Sequence, residues 1–249
     1  MLCSLHHDKI KKMTLPEEHK RIHELDFARG VAVLCMLCIH FFAFADFFGG
    51  WDVSWPPAVR FVKQYFGAFF ILLSGLCSCL GTHHLRSGLT VLCCAFLLTG
   101  ATEALYLSGT CSGMVQIQWG VLHTIGTCML LSGLMRRLPL WLRTVLAAVI
   151  LVTGYWLYFE VRVLNPWIFM FGLRVRTFQA FDYFPLLPHM GWFLLGTVLG
   201  DSLYREKKPL FPNFRCAFAE FFGRHSLLIY MGHMILFFVM FRFVFYRGV

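Results

Sequence analysis

Long apolar runs alternate with short polar segments along nearly the whole chain. A run of about 20 apolar residues is long enough for a helix to cross the hydrocarbon core of a bilayer. Runs of about this length cover residues 27–47, 60–81, 87–107, 115–135, 141–160, 183–203 and 221–245. The pattern therefore predicts an all-α, polytopic integral membrane protein with about seven transmembrane helices in one bundle.

The composition excludes the water-soluble classes. Of the 249 residues, 58% are apolar and 14% are charged, whereas soluble domains have about 45–50% and about 25%. The lipid bilayer is therefore the expected partner, and the net charge of +9 is attributed to loops at the membrane surface rather than to nucleic-acid binding. No repeat or linker divides residues 1–249, so we expect a single domain. Its segment 1–23 is basic and lacks the features of a signal peptide.

The distribution of lysine and arginine predicts the orientation. With the N-terminus inside, the inner segments hold thirteen basic residues and the outer segments hold seven. Basic residues favour the cytoplasmic side, so we expect a multi-pass protein of the plasma membrane with a cytoplasmic N-terminus and an external C-terminus. The shorter apolar stretch 165–173 is flanked by Arg162, Arg174 and Arg176. It is predicted to be an interfacial or re-entrant segment.

The first predicted helix carries ionisable side chains, which are expensive to place in hydrocarbon. Asp26 lies one helical turn before Arg29, close enough for an ion pair. His40 follows Arg29 by 11 residues, which returns a helix to within about 20° of the same face and about 16 Å further along its axis. A guanidinium near the cytoplasm suits the phosphates of an anionic donor. An imidazole deeper on the same stripe suits proton transfer with an acyl acceptor.

These residues also admit a purely structural interpretation. Asp26 and Arg29 can mark the topology through a local ion pair, and His40 can be a hydrogen-bond partner between helices. From spacing alone, the two interpretations are equally good.

Three further polar residues are weaker candidates when each is taken singly. They are His123 after WGVL, Asp182 in FDYFPLLPHMGWFLLG, and His233 in GRHSLLIYMGH. Each can instead be a satisfied core residue, and Asp182 can be an acid at a helix N-terminus. The intramembrane histidines lie on different helices without a ligand cluster, so no metal site is predicted.

Several segments resemble a known family when they are taken together and in order. They are RIHELDFARGVAVLCMLCIHFF, FFILLSG, WGVLH, FDYFPLLPHMGWFLLGTVLG and FGRHSLLIYMGH. Together they resemble the bacterial branch of the heparan-alpha-glucosaminide N-acetyltransferase catalytic-domain-like family, over nearly the whole chain. The spacing of Arg29 and His40 is also similar to the arginine–histidine signature of membrane acyltransferases that modify bacterial surface glycans.

The resemblance implies transfer of an acyl group, typically acetyl, from cytoplasmic acyl-CoA to an acceptor across the membrane. Arg29 matches the donor-side arginine and His40 the first-helix histidine, whereas Asp26, Ser74, His123 and Asp182 fall on other motif positions. We therefore expect acetyl-CoA as the acyl donor, without a metal, and a sugar hydroxyl or amine of a glycan as the acceptor. The expected donor-binding residues are Arg29, Asp26 and Ser74, and the expected catalytic residues are His40, Asp182 and His123.

Two departures from the family pattern leave the acceptor open. The lysosomal branch has its catalytic histidine in the loop after the first helix, but residues 41–57 contain no histidine. The chain is also expected to lack a large lumenal domain. A proton-coupled transporter and a catalytically silent membrane subunit therefore remain alternative functions, and both a monomer and a homodimer fit the sequence.

Overall fold

The computed structural model describes residues 22–51, 54–81, 83–109, 116–163, 165–175, 178 and 180–245. Most of the basic segment predicted at 1–23, and also Arg176, lie outside the described residues. Within them the protein is helical, and its only β-type pairing is an isolated parallel bridge between Arg162 and Arg174.

The described residues form α-helices that we number in chain order. They are α1 (His23–Gly49), α2 (Pro57–Ser78), α3 (His84–Leu107), α4 (Val121–Met135), α5 (Leu140–Glu160), α6 (Leu186–Leu203), α7 (Ala217–Arg224) and α8 (Ser226–Met240). A short 3₁₀ helix, Pro166–Phe171, lies between α5 and α6, and a π-helical turn, Phe241–Phe245, follows α8.

Proline and glycine residues determine several helix ends. Pro57 begins α2, while Pro139 and Pro185 directly precede α5 and α6. Proline suits these positions because its φ is fixed near the helical value and the first helical turn does not use its missing N–H. At the end of α1, Gly50 adopts a left-handed φ of 62°, which favours glycine because it has no Cβ.

Four described segments are long and apolar enough to cross a membrane. They are His23–Phe48, His84–Leu107, Leu140–Glu160 and Ser226–Phe243. Large apolar side chains point outward from these helices, as at Leu107 (75% exposed) and Val152 (72% exposed), which suits contact with lipid. The prediction of an all-helical membrane protein is therefore confirmed at this coarser level.

The predicted count of seven spans is not confirmed. Tyr65–Ser78 and Val121–Met135 are apolar helices shorter than the four spanning segments. The 15 residues of α4 extend over about 22 Å, less than the roughly 30 Å of the hydrocarbon core. The predicted span 221–245 is divided, because α7 ends at Arg224 and α8 begins at Ser226. The stretch 165–173 contains the 3₁₀ helix.

Close helix packing positions the site. Helix α6 packs against α2 and α5, α3 packs against α4, and α1 packs against α7. A Cβ at Gly75 would overlap the carbonyl oxygen of Phe193, and one at Gly196 would overlap that of Leu72. Small residues are therefore required where α2 and α6 touch. The beginnings of α1, α3 and α8 meet the end of α2 around one cavity, and we call this side of the bundle the His23 end and the opposite side the Gly49 end.

Candidate active site

His40 of α1 is hydrogen-bonded to His233 of α8. The Nδ1 atom of His40 lies 2.7 Å from the Nε2 atom of His233. His233 is buried, with 4% of its surface exposed, and its Nδ1 atom lies 3.2 Å from the carbonyl oxygen of Ile229. The pair therefore joins two helices that are far apart in the sequence.

This chain of hydrogen bonds assigns the tautomers of the neutral rings. The carbonyl oxygen of Ile229 can only accept, so Nδ1 of His233 carries the hydrogen and its Nε2 is an acceptor. Nδ1 of His40 must then donate to Nε2 of His233. The lone pair of His40 Nε2 is left free, and an imidazole in this tautomer is able to act as a general base.

Asp182 lies in the segment before α6 and shares a cavity with His40. Its carboxylate is buried, and its Oδ2 atom accepts hydrogen bonds from the Tyr230 hydroxyl at 2.5 Å and from the Val121 N–H at 3.3 Å. The Val121 N–H is one of the unpaired donors in the first turn of α4. Asp182 therefore caps α4 and holds Tyr230 in place.

His123 is not among the residues that line the cavity around His40 and Asp182. The N–H of Gly120 donates to His123 Nδ1 at 3.2 Å, so Nε2 carries the hydrogen and points to the Thr99 hydroxyl, also at 3.2 Å. That hydroxyl in turn donates to the carbonyl oxygen of Ile117 at 2.7 Å. Both ring nitrogens have partners in this arrangement, which connects α3 to the start of α4.

Arg29 and Ser74 face a cavity of about 300 Å³ at the His23 end, which we call the first cavity. Its polar lining also includes Ser78, His83, His84, Ser87 and Ser226. A distant ion pair joins Arg29 Nη1 to Asp26 Oδ1 at 3.7 Å. Asp26 does not line this cavity. Its other carboxylate oxygen, Oδ2, lies 3.7 Å from Arg224 Nε. The structure therefore brings Arg29 and Ser74 together and places Asp26 beside them.

Two more cavities continue from the first toward the Gly49 end. The second cavity, about 60 Å³, contains His40 and Asp182, and it shares Phe70 and Tyr230 with the first. The third cavity, about 600 Å³, shares His40, Asp182 and other residues with the second. His40 thus lies between a polar cavity at one end of the bundle and a larger cavity at the other, and Phe70 and Tyr230 form the wall between the first two.

The three cavities are lined by residues from most of the helices. A single family model matches the part of the sequence that contains these lining residues. Residues 21–235 match the family model for the catalytic domain of heparan-alpha-glucosaminide N-acetyltransferase. The chain belongs to this family. Comparisons with curated proteins and with solved structures each gave no match. The matched range includes every candidate residue from Asp26 to His233. The family predicted from the sequence motifs is confirmed, and its bacterial branch stays a prediction.

Membership in the heparan-alpha-glucosaminide N-acetyltransferase catalytic family, together with the apolar helices, indicates a membrane acetyltransferase. Within the described residues, no group of three or more His, Cys, Asp or Glu side chains is arranged to hold a metal ion. The sequence pattern missed the pairing of His40 with His233. The sequence does show His233 as a second intramembrane histidine. That it pairs with His40 depends on how α8 packs against α1, which the sequence pattern does not report.

Proposed function

We propose that this chain takes an acetyl group from acetyl-CoA in the first cavity and transfers it to a hydroxyl or amine acceptor in the third. The observation that supports this function is the position of His40, which lines the small cavity between the other two. A donor and an acceptor that enter from opposite ends of the bundle would meet there.

Arg29 is the proposed anchor for the donor. Its ion pair with Asp26 is long, at 3.7 Å, so its planar fork remains available for a phosphate of acetyl-CoA. The serine hydroxyls of the first cavity add neutral donors and acceptors along the same wall. Because His40 lies about 16 Å further along α1, the pantetheine arm would extend past Phe70 and Tyr230 to present the thioester.

His40 is the proposed general base. Its Nε2 atom takes the proton of the acceptor O–H or N–H as that atom attacks the thioester carbonyl carbon. The carbon–sulfur bond then breaks, and the leaving CoA thiolate takes the proton from the imidazolium. The acceptor has gained an acetyl group, CoA leaves as the thiol, and His40 returns to its neutral form.

The His23 end is the proposed cytoplasmic side of a plasma membrane. Acetyl-CoA is cytoplasmic, and two basic residues lie at the end of the bundle where Arg29 lies, Arg136 on His84 of the first cavity and Arg224 on Asp26. Basic residues favour the cytoplasmic side. On this assignment the third cavity opens to the outside, and the whole transfer takes place within a single domain.

Isotope-labelled acetyl-CoA, supplied to purified protein in nanodiscs, tests this function. The parent should move label to water or to an acceptor, and His40→Ala should reduce that rate by about 10²–10⁴-fold with donor affinity unchanged. His40→Asn keeps a hydrogen-bonding group but removes the base, so it should be as slow. His225→Asn, an exposed position outside the cavities, is the matched control. A carrier would transport solute without label transfer, a silent subunit would do neither, and either result would refute the proposal.

A further inference from the structure

The third cavity is lined by two cations and many aromatic rings. The cations are Lys63 of α2 and Arg174 of the segment before α6, and the rings are Phe47, Tyr158, Phe178, Phe181, Tyr183 and Phe184. Asp182 is the one acidic residue among the described residues that line the cavity. Its Oδ2 atom already accepts hydrogen bonds from Tyr230 and Val121. Positive charge therefore exceeds negative charge in the lining.

Arg174 is held in place by aromatic rings and a carbonyl oxygen, and no described carboxylate pairs with it. Its guanidinium carbon lies 4.1 Å from the ring centre of Tyr158 and 5.7 Å from that of Tyr183. Its Nη2 atom donates to the carbonyl oxygen of Tyr158 at 3.2 Å, and its Nε atom is buried without a hydrogen-bond partner. An unpaired buried donor is costly, and an anion in the cavity would supply its acceptor.

Lys63 adds a second cation to the lining of the cavity. Its Nζ atom lies 5.4 Å from the ring centre of Trp55. Among the described residues, no carboxylate forms an ion pair with Lys63 or Arg174. The two cations come from separate elements of the chain yet face the same space. Their charges therefore add at a ligand between them.

We propose that the third cavity binds an acceptor that carries both hydroxyl groups and an anionic group, a phosphate or carboxylate on a sugar or polyol. The cations bind the anionic group, the aromatic faces pack against the C–H faces of the ring or chain, and a hydroxyl reaches His40. Naming this ligand an acceptor rests on the proposed function, whereas anion binding in the cavity is measured without any acetyl transfer.

The same charges discriminate against an amine acceptor. An amino sugar is a cation at neutral pH, so it would enter a cavity in which two cations repel it and Asp182 is already engaged by Tyr230. A hydroxyl carries no charge before it reacts, and it gives up its proton only when His40 accepts it. The lining therefore favours O-acetylation of an anionic molecule over N-acetylation of an amino sugar.

Equilibrium binding to the purified chain in phosphatidylcholine nanodiscs, without donor, tests the proposal. The probes are glucose 6-phosphate, glucose and glucosamine, which share a ring and differ in charge. Two charge-assisted contacts should make the Kd of glucose 6-phosphate about 10- to 100-fold lower than that of glucose, with glucosamine the weakest. Equal affinity for glucose and glucose 6-phosphate, or tightest binding of glucosamine, would overturn the proposal.

Variants locate the binding in this cavity. Lys63→Gln and Arg174→Gln should each abolish most of the preference for the phosphate, while Arg174→Lys should keep part of it. Arg60→Gln removes an exposed cation of the same helix that does not line the cavity and should leave the Kd unchanged. If Arg174→Gln does not fold, Lys63→Gln decides alone, because Lys63 is exposed. A preference that survives Lys63→Gln would place the anion elsewhere.

A lipid headgroup and a soluble sugar phosphate both carry a phosphate and hydroxyl groups. A competition experiment distinguishes these two possible ligands. If the natural ligand is a headgroup, phosphatidylglycerol in the nanodisc should displace glucose 6-phosphate, since it also joins a phosphate to a diol. If it is soluble, that lipid should have no effect. Loss of acetyl transfer with intact anion binding would refute the proposed function alone, whereas transfer without a preference for anions would refute only this inference.

Discussion

His40 Nδ1 lies 2.7 Å from His233 Nε2, although the two residues are 193 positions apart in the chain. Their ring planes are within 13° of parallel, and the hydrogen-bond chain ends at the carbonyl of Ile229. His233 is therefore positioned to decide which nitrogen of His40 is free, in the way that a carboxylate orients the histidine of a serine protease.

Replacing His233 should slow turnover without weakening donor binding. His233→Leu removes the acceptor for His40 Nδ1, so His40 is released into the other tautomer. The loss in kcat should be at most about 10⁴-fold, which is the cost of holding a catalytic histidine in the wrong tautomer. His233→Gln offers a side-chain oxygen near the position of Nε2 and should recover part of the rate. Nitrogen chemical shifts of labelled His40 report the tautomer, and a leucine variant with the parent's kcat and shifts would contradict this role.

Loss of Arg29 should weaken acetyl-CoA binding. Arg29→Ala removes a charge-assisted hydrogen bond and should cost about 1.5–3 kcal/mol of binding free energy. Arg29→Lys should recover only part of that cost because the planar fork is lost. Equilibrium binding of CoA measures both. Arg86→Ala, on an exposed position of α3 outside the first cavity, should bind CoA like the parent, and an unchanged affinity in Arg29→Ala would leave Arg29 with a topological role only.

Glu220 should make the stability of the α1–α7 contact depend on pH. Its buried carboxylate accepts from His23 Nδ1 at 2.9 Å, from Arg224 Nη2 at 2.6 Å and from Cys216 N at 3.2 Å. The hydrogen bond from His23, more than any other contact, holds the pKa of Glu220 below its ordinary value. A lowered pKa means that the stabilisation is complete above the pKa of the unfolded chain and is lost as the pH falls through the folded pKa.

Thermal unfolding in detergent measures this contribution. Glu220→Gln should lower Tm at pH 7. The difference from the parent should begin to shrink below about pH 4, near the ordinary pKa of a glutamate, and should be lost as the pH falls through the lowered pKa of the folded state. Glu206→Gln is the matched control, because Glu206 pairs with Lys208 on the surface with both side chains about three-quarters exposed and should have no effect. A difference in Tm that stays constant with pH would show that the charge of Glu220 is not what stabilises the contact.

Alanine should be tolerated at one glycine of the bundle and not at two others. A Cβ at Gly30 would overlap the carbonyl oxygen of Ala219, and a Cβ at Gly223 would overlap that of Asp26. Either substitution should cost about 1–3 kcal/mol, because α1 and α7 must separate. Gly232 has no heavy atom within 4 Å of such a Cβ, so Gly232→Ala should be neutral or raise the stability by up to about 1 kcal/mol. Equal Tm values for the three variants would contradict the close contact.

Reporter fusions should place the two ends of the bundle on opposite sides of the membrane. A fusion after Val249 should report the outside, and one inserted after Arg137, between α4 and α5, should report the cytoplasm. Signals from the same side would be incompatible with the proposed orientation and with an odd number of crossings between Arg137 and Val249.

Helical periodicity was sufficient to predict that Arg29 and His40 share a stripe of α1, since their angular separation depends on spacing alone. The same spacing argument predicted the ion pair of Asp26 with Arg29, whereas a role for Asp26 in donor binding stays a prediction. The role predicted for His123 stays a prediction. Its two hydrogen bonds depend on a loop and a neighbouring helix, and a single sequence does not report such contacts.

The division of the predicted span 221–245 was visible in the sequence as a short polar stretch. A count of apolar residues over the whole run does not detect such a stretch. The polar sequence of Arg224, His225 and Ser226 interrupts the run, and there the chain ends α7 and begins α8. The predicted fold class depends on composition and was robust, whereas the number of crossings depends on the ends of short helices. The start of α4 is set by the capping of Val121, which hydropathy does not measure, and the apolar part of α2 covers Tyr65–Ser78.

The wall of Phe70 and Tyr230 between the first two cavities has a consequence for the energy supply of the cell. An open water-filled passage past His40 would let protons run down their gradient, because an imidazole passes protons readily in both directions. With the wall in place, the first cavity and the small space around His40 do not join into one aqueous column. Under the proposed function, acetyl groups would be transferred outward while the membrane stays electrically insulated.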